Sequence, residues 1–238
     1  MMDYIFSAMP AFKALLIMPV MTFVITYSIS ISMDLMTYPN YYLSSSIKYS
    51  PASSIGTLGL ALTTVLIPFI SFIRHEHVKY HIENNDNNRI LTTKMNNRSL
   101  TMSCVAGLSA LGVASFQDVM STEDIHLSFA LLFFMSGLAY GRLSHKLDKL
   151  LPGLGTPNER LVRKSLWYCS AVHLGLYPLF IFLSLTDPRD VLVFTLSISE
   201  IIFFVNILSF YATFYREMKT VSIRFGIDSE SLLDTCRI

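Results

Sequence analysis

The chain has 238 residues, of which 52% are hydrophobic and 15% charged, with a formal net charge of +1. Soluble domains carry about 25% charged residues, so with a mean hydropathy of +0.49 this composition argues against an ordinary soluble protein. The near-neutral charge gives no reason to expect a nucleic-acid partner, and three cysteines spread along the chain suggest no disulfide framework.

In chain order, six stretches are long enough to cross a bilayer core of about 30 Å, which needs roughly 20 helical residues. They are 14–33, 49–73 (helical from about 52), 99–117, 125–141, 165–186 and 191–215. Of all the Asp, Glu, Lys and Arg residues, only Glu200 falls inside one of them. Each stretch is apolar all round, whereas a soluble helix would show a polar face. Backbone in lipid must satisfy its own hydrogen bonds, so these stretches are expected to be helices. The first is read as a retained span, because its apolar run is too long for a signal peptide.

Cations set the orientation. Lys13, the segment after the second span (Arg74, Lys79, Arg89, Lys94, Arg98), the segment after the fourth (Arg142, Lys146, Lys149, Arg160, Arg163, Lys164) and the C-terminal stretch all fall on one side. That side collects sixteen of the 18 Lys and Arg residues. The expected fold is therefore all-α: a polytopic six-transmembrane-helix bundle over 1–226 with both termini cytosolic, followed by a cytosolic tail at 227–238. The lipid bilayer is its first partner, and anionic lipids at the basic loops are a second candidate. The Asn-rich run after the second span (Asn84, Asn85, Asn87, Asn88, Asn96, Asn97) reads as a disordered linker.

Small and polar residues mark helix interfaces in lipid. Ala106, Ala110 and Ala114 in the third span, Gly137 and Gly141 in the fourth, and the stripe Thr195, Ser199, Asn206, Ser209 and Thr213 in the sixth are the candidates. Pro19, Pro68 and Pro178 should kink their helices. Glu200 lies near the expected midplane, where a carboxylate is costly and functional by default. It contacts a proton or lipid headgroup, or it fixes packing, and His173 in the fifth span lies at comparable depth. His77 and His81 share a helix face, but no second cluster completes a metal site, and interfacial histidines explain them. His126 is also read as interfacial. No phosphate loop, nucleophile elbow or triad appears, so neither an enzyme nor a cofactor is called for. In the tail, Asp228 with Leu232 and Leu233 fits the acidic dileucine pattern read by sorting adaptors. Tyr215-Arg216-Glu217-Met218 fits a tyrosine sorting pattern but sits close to the membrane.

Three stretches in this order resemble the DRAM family, the damage-regulated autophagy modulators. Ala114-Ser115-Phe116-Gln117, with His126 soon after, is similar to the family's N-F-Q segment and following His. Ser197-Ile198-Ser199-Glu200 is similar to its embedded Glu, and Phe214 to Arg224 to its exit from the last helix. The acidic residue usual in the family's first external loop is missing from Ser46-Ile47-Lys48-Tyr49-Ser50, and the family's Trp after the Glu is Ile201 here. The resemblance implies a lysosomal or endosomal membrane protein that promotes autophagy without enzymatic chemistry. Glu200, Asn206, His173, His126 and Gln117 stand as ligand or packing candidates. The wider superfamily adds plasma-membrane organisers of phosphoinositide kinases and Golgi factors for GPI-anchor lipid remodelling, which are the alternatives.

Overall fold

The computed structural model describes residues 2–85, 88–116, 121–186 and 189–227. The chain begins with a strand, β1 (Met2–Ser7), and enters α1 (Met9–Ser32), which stops where Asp34 turns to a left-handed backbone at φ 55°. A connecting loop carries one short helix, α2 (Leu43–Ser46). Five long helices follow: α3 (Ala52–Asn85), α4 (Arg89–Ser115), α5 (Glu123–Leu150), α6 (Pro157–Thr186) and α7 (Asp190–Ala212). A short α8 (Tyr215–Thr220) leads into strand β2 (Ser222–Ile227).

Among the described residues the protein is all-α apart from one two-stranded sheet, which sequence reading missed. β1 pairs antiparallel with β2, Met2 opposite Ile227 and Ser7 opposite Ser222. The two ends of the bundle's chain are thus joined at one pole, here termed basal. Long helices alternate up and down from there. Thr57 donates to the Ala114 carbonyl at one end of the α3–α4 pair (3.0 Å) and Asn96 donates to the His75 carbonyl at the other (2.9 Å), so these helices run antiparallel over their whole length.

Among the described residues, five helices (α1, α3, α5, α6 and α7) are long and apolar enough to cross a membrane. The third expected span, in α4, falls short for a physical reason. Its buried face is Thr92, Asn96, Ser99, Ser103, Ala106, Gly107, Ser109, Gly112 and Ala114, all small or polar. Packed between α3 and α5, it binds by close approach and hydroxyl bonding rather than by apolar bulk. Ser103 donates to Ser71 of α3 at 2.5 Å, and a Cβ on Gly107 would sit 3.0 Å from Pro68. The Asn-rich linker is also corrected. Asn84 and Asn85 close α3, Asn88 precedes α4, and Asn96 and Asn97 lie inside α4, so helix continues where a loop was expected; only 86–87 lie outside the described residues. α3 and α4 project together beyond the apolar spans. Beside them, Val78 and Ile82 pack on Leu147, Leu151 and Leu154 in a second small core.

The glycines divide by environment. A Cβ on Gly112 would collide with the Phe129 ring across the α4–α5 seam, while one on Gly137 would meet nothing within 4 Å. The Gly137–Gly141 pair is therefore not the close helix contact expected of it; only Gly141 meets a neighbour, Trp167 at 3.3 Å. Gly112→Ala should lower stability by about 1–3 kcal/mol through overpacking. Gly137→Ala should raise it by roughly 0.5–1 kcal/mol by relieving helical glycine entropy. Thermal melting of the detergent-solubilised protein separates them, and equal shifts would contradict this packing.

Candidate functional site

Two constellations stand out, one near the distal pole and one at the basal pole. At the distal pole the α1–α3 loop folds inward. Ser30 donates to the Ser46 carbonyl (2.9 Å), and Thr26 and Ser46 share a hydroxyl bond (3.0 Å), which draws α2 down between the helix ends. The first N–H of α2, on Leu43, then donates to Glu200 Oε2 at 2.8 Å, and Tyr41 N–H donates to Ser197 Oγ at 3.2 Å. A carboxylate meeting the first N–H groups of a helix is a favourable pairing. Glu200 lies ten residues into α7, about 15 Å from its distal end at 1.5 Å per residue.

Beneath α2 lies a cavity of about 120 Å³ bounded by α1, α3, α4, α5 and α7. Glu200 and His126 are in its wall, as are Leu43 and Ile47 of the α2 segment; Phe133, Phe134 and Phe204 provide aromatic sides, and Tyr211 stands among the residues nearest the basal pole. His126 is buried, 4% exposed, and its Nδ1 donates to the Phe116 carbonyl at 2.7 Å. The structure thus brings Glu200 and His126 to one chamber. His173 does not bond Glu200 through any contact seen here; its Nε2 pairs with Ser199 at 2.6 Å, and the two acidic and imidazole groups share only a crevice of about 10 Å³. Asn206 lines a separate void of about 40 Å³ with Gly137 and Trp167. The polar stripe on α7 is accordingly split: Thr195 is exposed and bonds its own helix, Ser199 turns to α6, and Thr213 belongs to the basal constellation. Gln117, Asp228, Leu232 and Leu233 lie outside the described residues.

The basal constellation was not foreseen. Arg74 (α3), Asp148 (α5), Arg163 (α6) and Glu217 (α8) form a closed ring of ion pairs. Asp148 accepts from Arg74 Nη2 and Arg163 Nη1, both at 3.0 Å, while Glu217 accepts from Arg74 Nε at 3.1 Å and Arg163 Nη2 at 2.5 Å. All four side chains are at most 4% exposed. Remaining donors are used by Ser144, and by the hydroxyl and carbonyl of Thr213. The Phe214 ring packs on both guanidiniums, its centroid 4.1 Å from Arg74 Cζ and 4.6 Å from Arg163 Cζ, a doubled cation–π contact. Two charges of each sign cancel, so the ring buries no net charge. Arg74 and Arg163, counted in the sequence as surface cations, are internal ties between four helices. The tyrosine sorting pattern falls in the same place, with Glu217 and Met218 buried. At His77 and His81, ring centroids 4.8 Å apart meet edge to face, and among the described residues no third ligand completes a metal position.

A family model described as Frag1/DRAM/Sfk1/Cwh43P N-terminal domain matches residues 6–221. No curated protein and no solved structure matches the chain.

Proposed function

The chain belongs to the Frag1/DRAM/Sfk1/Cwh43P family, and from that premise we propose that it is a six-span protein of lysosomal or endosomal membranes that modulates autophagy without covalent chemistry, with both ends in the cytosol. One observation carries the topology. β1 pairs with β2 at one pole of the bundle, which supports an even number of crossings. Among the described residues five helices are apolar enough to span, and α4, antiparallel to α3, is taken as the sixth. The excess of Lys and Arg at the basal pole then directs that pole to the cytosol.

Membrane-impermeant maleimide on sealed cells tests this arrangement. With the native cysteines replaced, Cys at Ser7 or Ser222 should stay unlabelled until the membrane is permeabilised, and Cys at Tyr49 should react from outside or from the organelle lumen. Opposite behaviour of Ser7 and Ser222 would end the six-span reading.

The autophagy reading rests on the ordered resemblance to DRAM proteins, and the compartment rests on Asp228, Leu232 and Leu233. Replacing both leucines by Ala should move a tagged chain from lysosomes to the cell surface, and loss of the chain should slow autophagic turnover. Residence at the plasma membrane with recovery of a phosphoinositide kinase would favour the scaffold alternative instead. Golgi residence with altered GPI-anchor lipids would favour remodelling.

A further inference from the structure

We propose that the chamber beneath α2 binds one single-chain amphiphile, with a hydrogen-bond-donating head group, hydroxyl or ammonium, at Glu200 and its hydrocarbon running toward Tyr211. The argument begins with shape. From Glu200 to Tyr211 is eleven residues of α7, about 16 Å along the axis. A volume of about 120 Å³ over that length leaves no room for two hydrocarbon chains side by side. The wall is mainly aromatic and aliphatic, with Thr63 and Thr64 of α3 adding hydroxyls to Glu200 and His126, and apolar space of this kind accepts apolar guests. A bilayer presents hydrocarbon at this depth in abundance.

The basal end is closed. Tyr211 stacks on Tyr140 at 5.8 Å and meets Phe214, whose ring contacts both guanidiniums. The chamber is therefore a blind site and not a conduit. Its distal end supplies the selectivity. A carboxylate can accept about four hydrogen bonds, and the Leu43 N–H is one of those that Glu200 accepts. It attracts an ammonium, accepts from a hydroxyl, and repels a carboxylate in a low-dielectric surrounding. The lid, α2, hangs on the same carboxylate, so head group and lid compete for and report on one residue.

The test uses the full chain reconstituted in phosphatidylcholine vesicles with three photoactivatable hexadecyl probes, identical but for hydroxyl, ammonium or carboxylate heads. Label is mapped by mass spectrometry. Peptides holding Phe133, Phe134 and Phe204 should take the hydroxyl and ammonium probes about tenfold above the carboxylate probe, a difference of about 1.4 kcal/mol. Glu200→Gln should erase the preference of ammonium over carboxylate and keep the hydroxyl labelling. Filling the chamber with Ala130→Phe, or with Val113→Phe if the first does not reconstitute, should abolish labelling there for all three probes. Label at the exposed Val172 and Leu176 of α6 is the internal reference for folded protein and should not change. Chamber label no greater than that reference would mean annular lipid only. Either that result or equal selectivity in wild type and Glu200→Gln overturns the proposal.

Discussion

Asp148→Asn should cost the fold on the order of 3–5 kcal/mol, because it leaves two buried guanidiniums to share one carboxylate. Stabilities of ordinary domains are only about 5–15 kcal/mol, so the variant should lose most of its monodisperse yield and melt well below wild type in detergent. Asp148 is fully buried and touches both arginines, and no solvent can replace the lost charge. Electrostatic balance is the cause, and a second substitution isolates it. Adding Arg163→Met to Asp148→Asn leaves Arg74 and Glu217, one charge of each sign, still paired at 3.1 Å. The double variant should be less destabilised than the two singles combined, with a coupling of about 0.5–3 kcal/mol expected for groups in direct contact. Glu76→Gln serves as contrast. Glu76 pairs with Lys79 at 3.4 Å on an exposed surface, where an ion pair contributes about 0–1 kcal/mol, so its melting should barely move. Strict additivity of the two basal substitutions, or wild-type melting of Asp148→Asn, would show that the ring does not tie the helices.

The contrast between Glu76 and Asp148 explains what the sequence could and could not convey. The apolar stretches were legible because lipid imposes a length and forbids scattered charge, and the long helices lie where those stretches predicted them. Helix α4 was legible only as a stretch. Its C-terminal part read as the third span and its polar N-terminal part as a loop, and packing between α3 and α5 makes the same residues an interface. The basal ring was not legible. Arg74, Asp148, Arg163 and Glu217 belong to four separate helices, and each stands just outside an apolar stretch, where a surface charge looks the same as a buried one. The available signal was the cluster Phe214-Tyr215-Arg216-Glu217, matched by resemblance yet assigned to the helix exit rather than to the core. At the distal pole Glu200 was found from its cost in lipid alone. Its partner was not, since a backbone N–H from 157 residues away carries no side-chain signature. The polar stripe on α7 failed for a related reason: angular position on one helix does not say which neighbour each residue faces.

Leu43→Pro should loosen the α1–α3 loop by roughly one to two decades in opening equilibrium. The substitution suits the backbone. Leu43 is the first residue of α2, where proline is favoured because its fixed φ fits and its missing N–H breaks no intrahelical bond. Tyr42 before it is already extended at ψ 148°, as a residue preceding proline requires. What disappears is the N–H given to Glu200, a bond to a charged group worth about 1.5–3 kcal/mol, together with the packing of a side chain that is 7% exposed. Lys48, half-buried just beyond α2, becomes the reporter. Trypsin cleavage there, followed by mass spectrometry of the purified protein, tracks the open population while reclosing outpaces cleavage. Leu43→Pro and Glu200→Leu should each accelerate it by about tenfold or more, at about 1.4 kcal/mol per decade. Glu200→Gln should fall between them and wild type, since an amide oxygen still accepts the N–H but without charge. The two strong substitutions remove opposite ends of one bond, so the double variant should cleave little faster than Leu43→Pro alone. Multiplying effects would place the restraint elsewhere in the loop, in the Ser30–Ser46 and Tyr41–Ser197 contacts, and would detach α2 from Glu200 as its anchor.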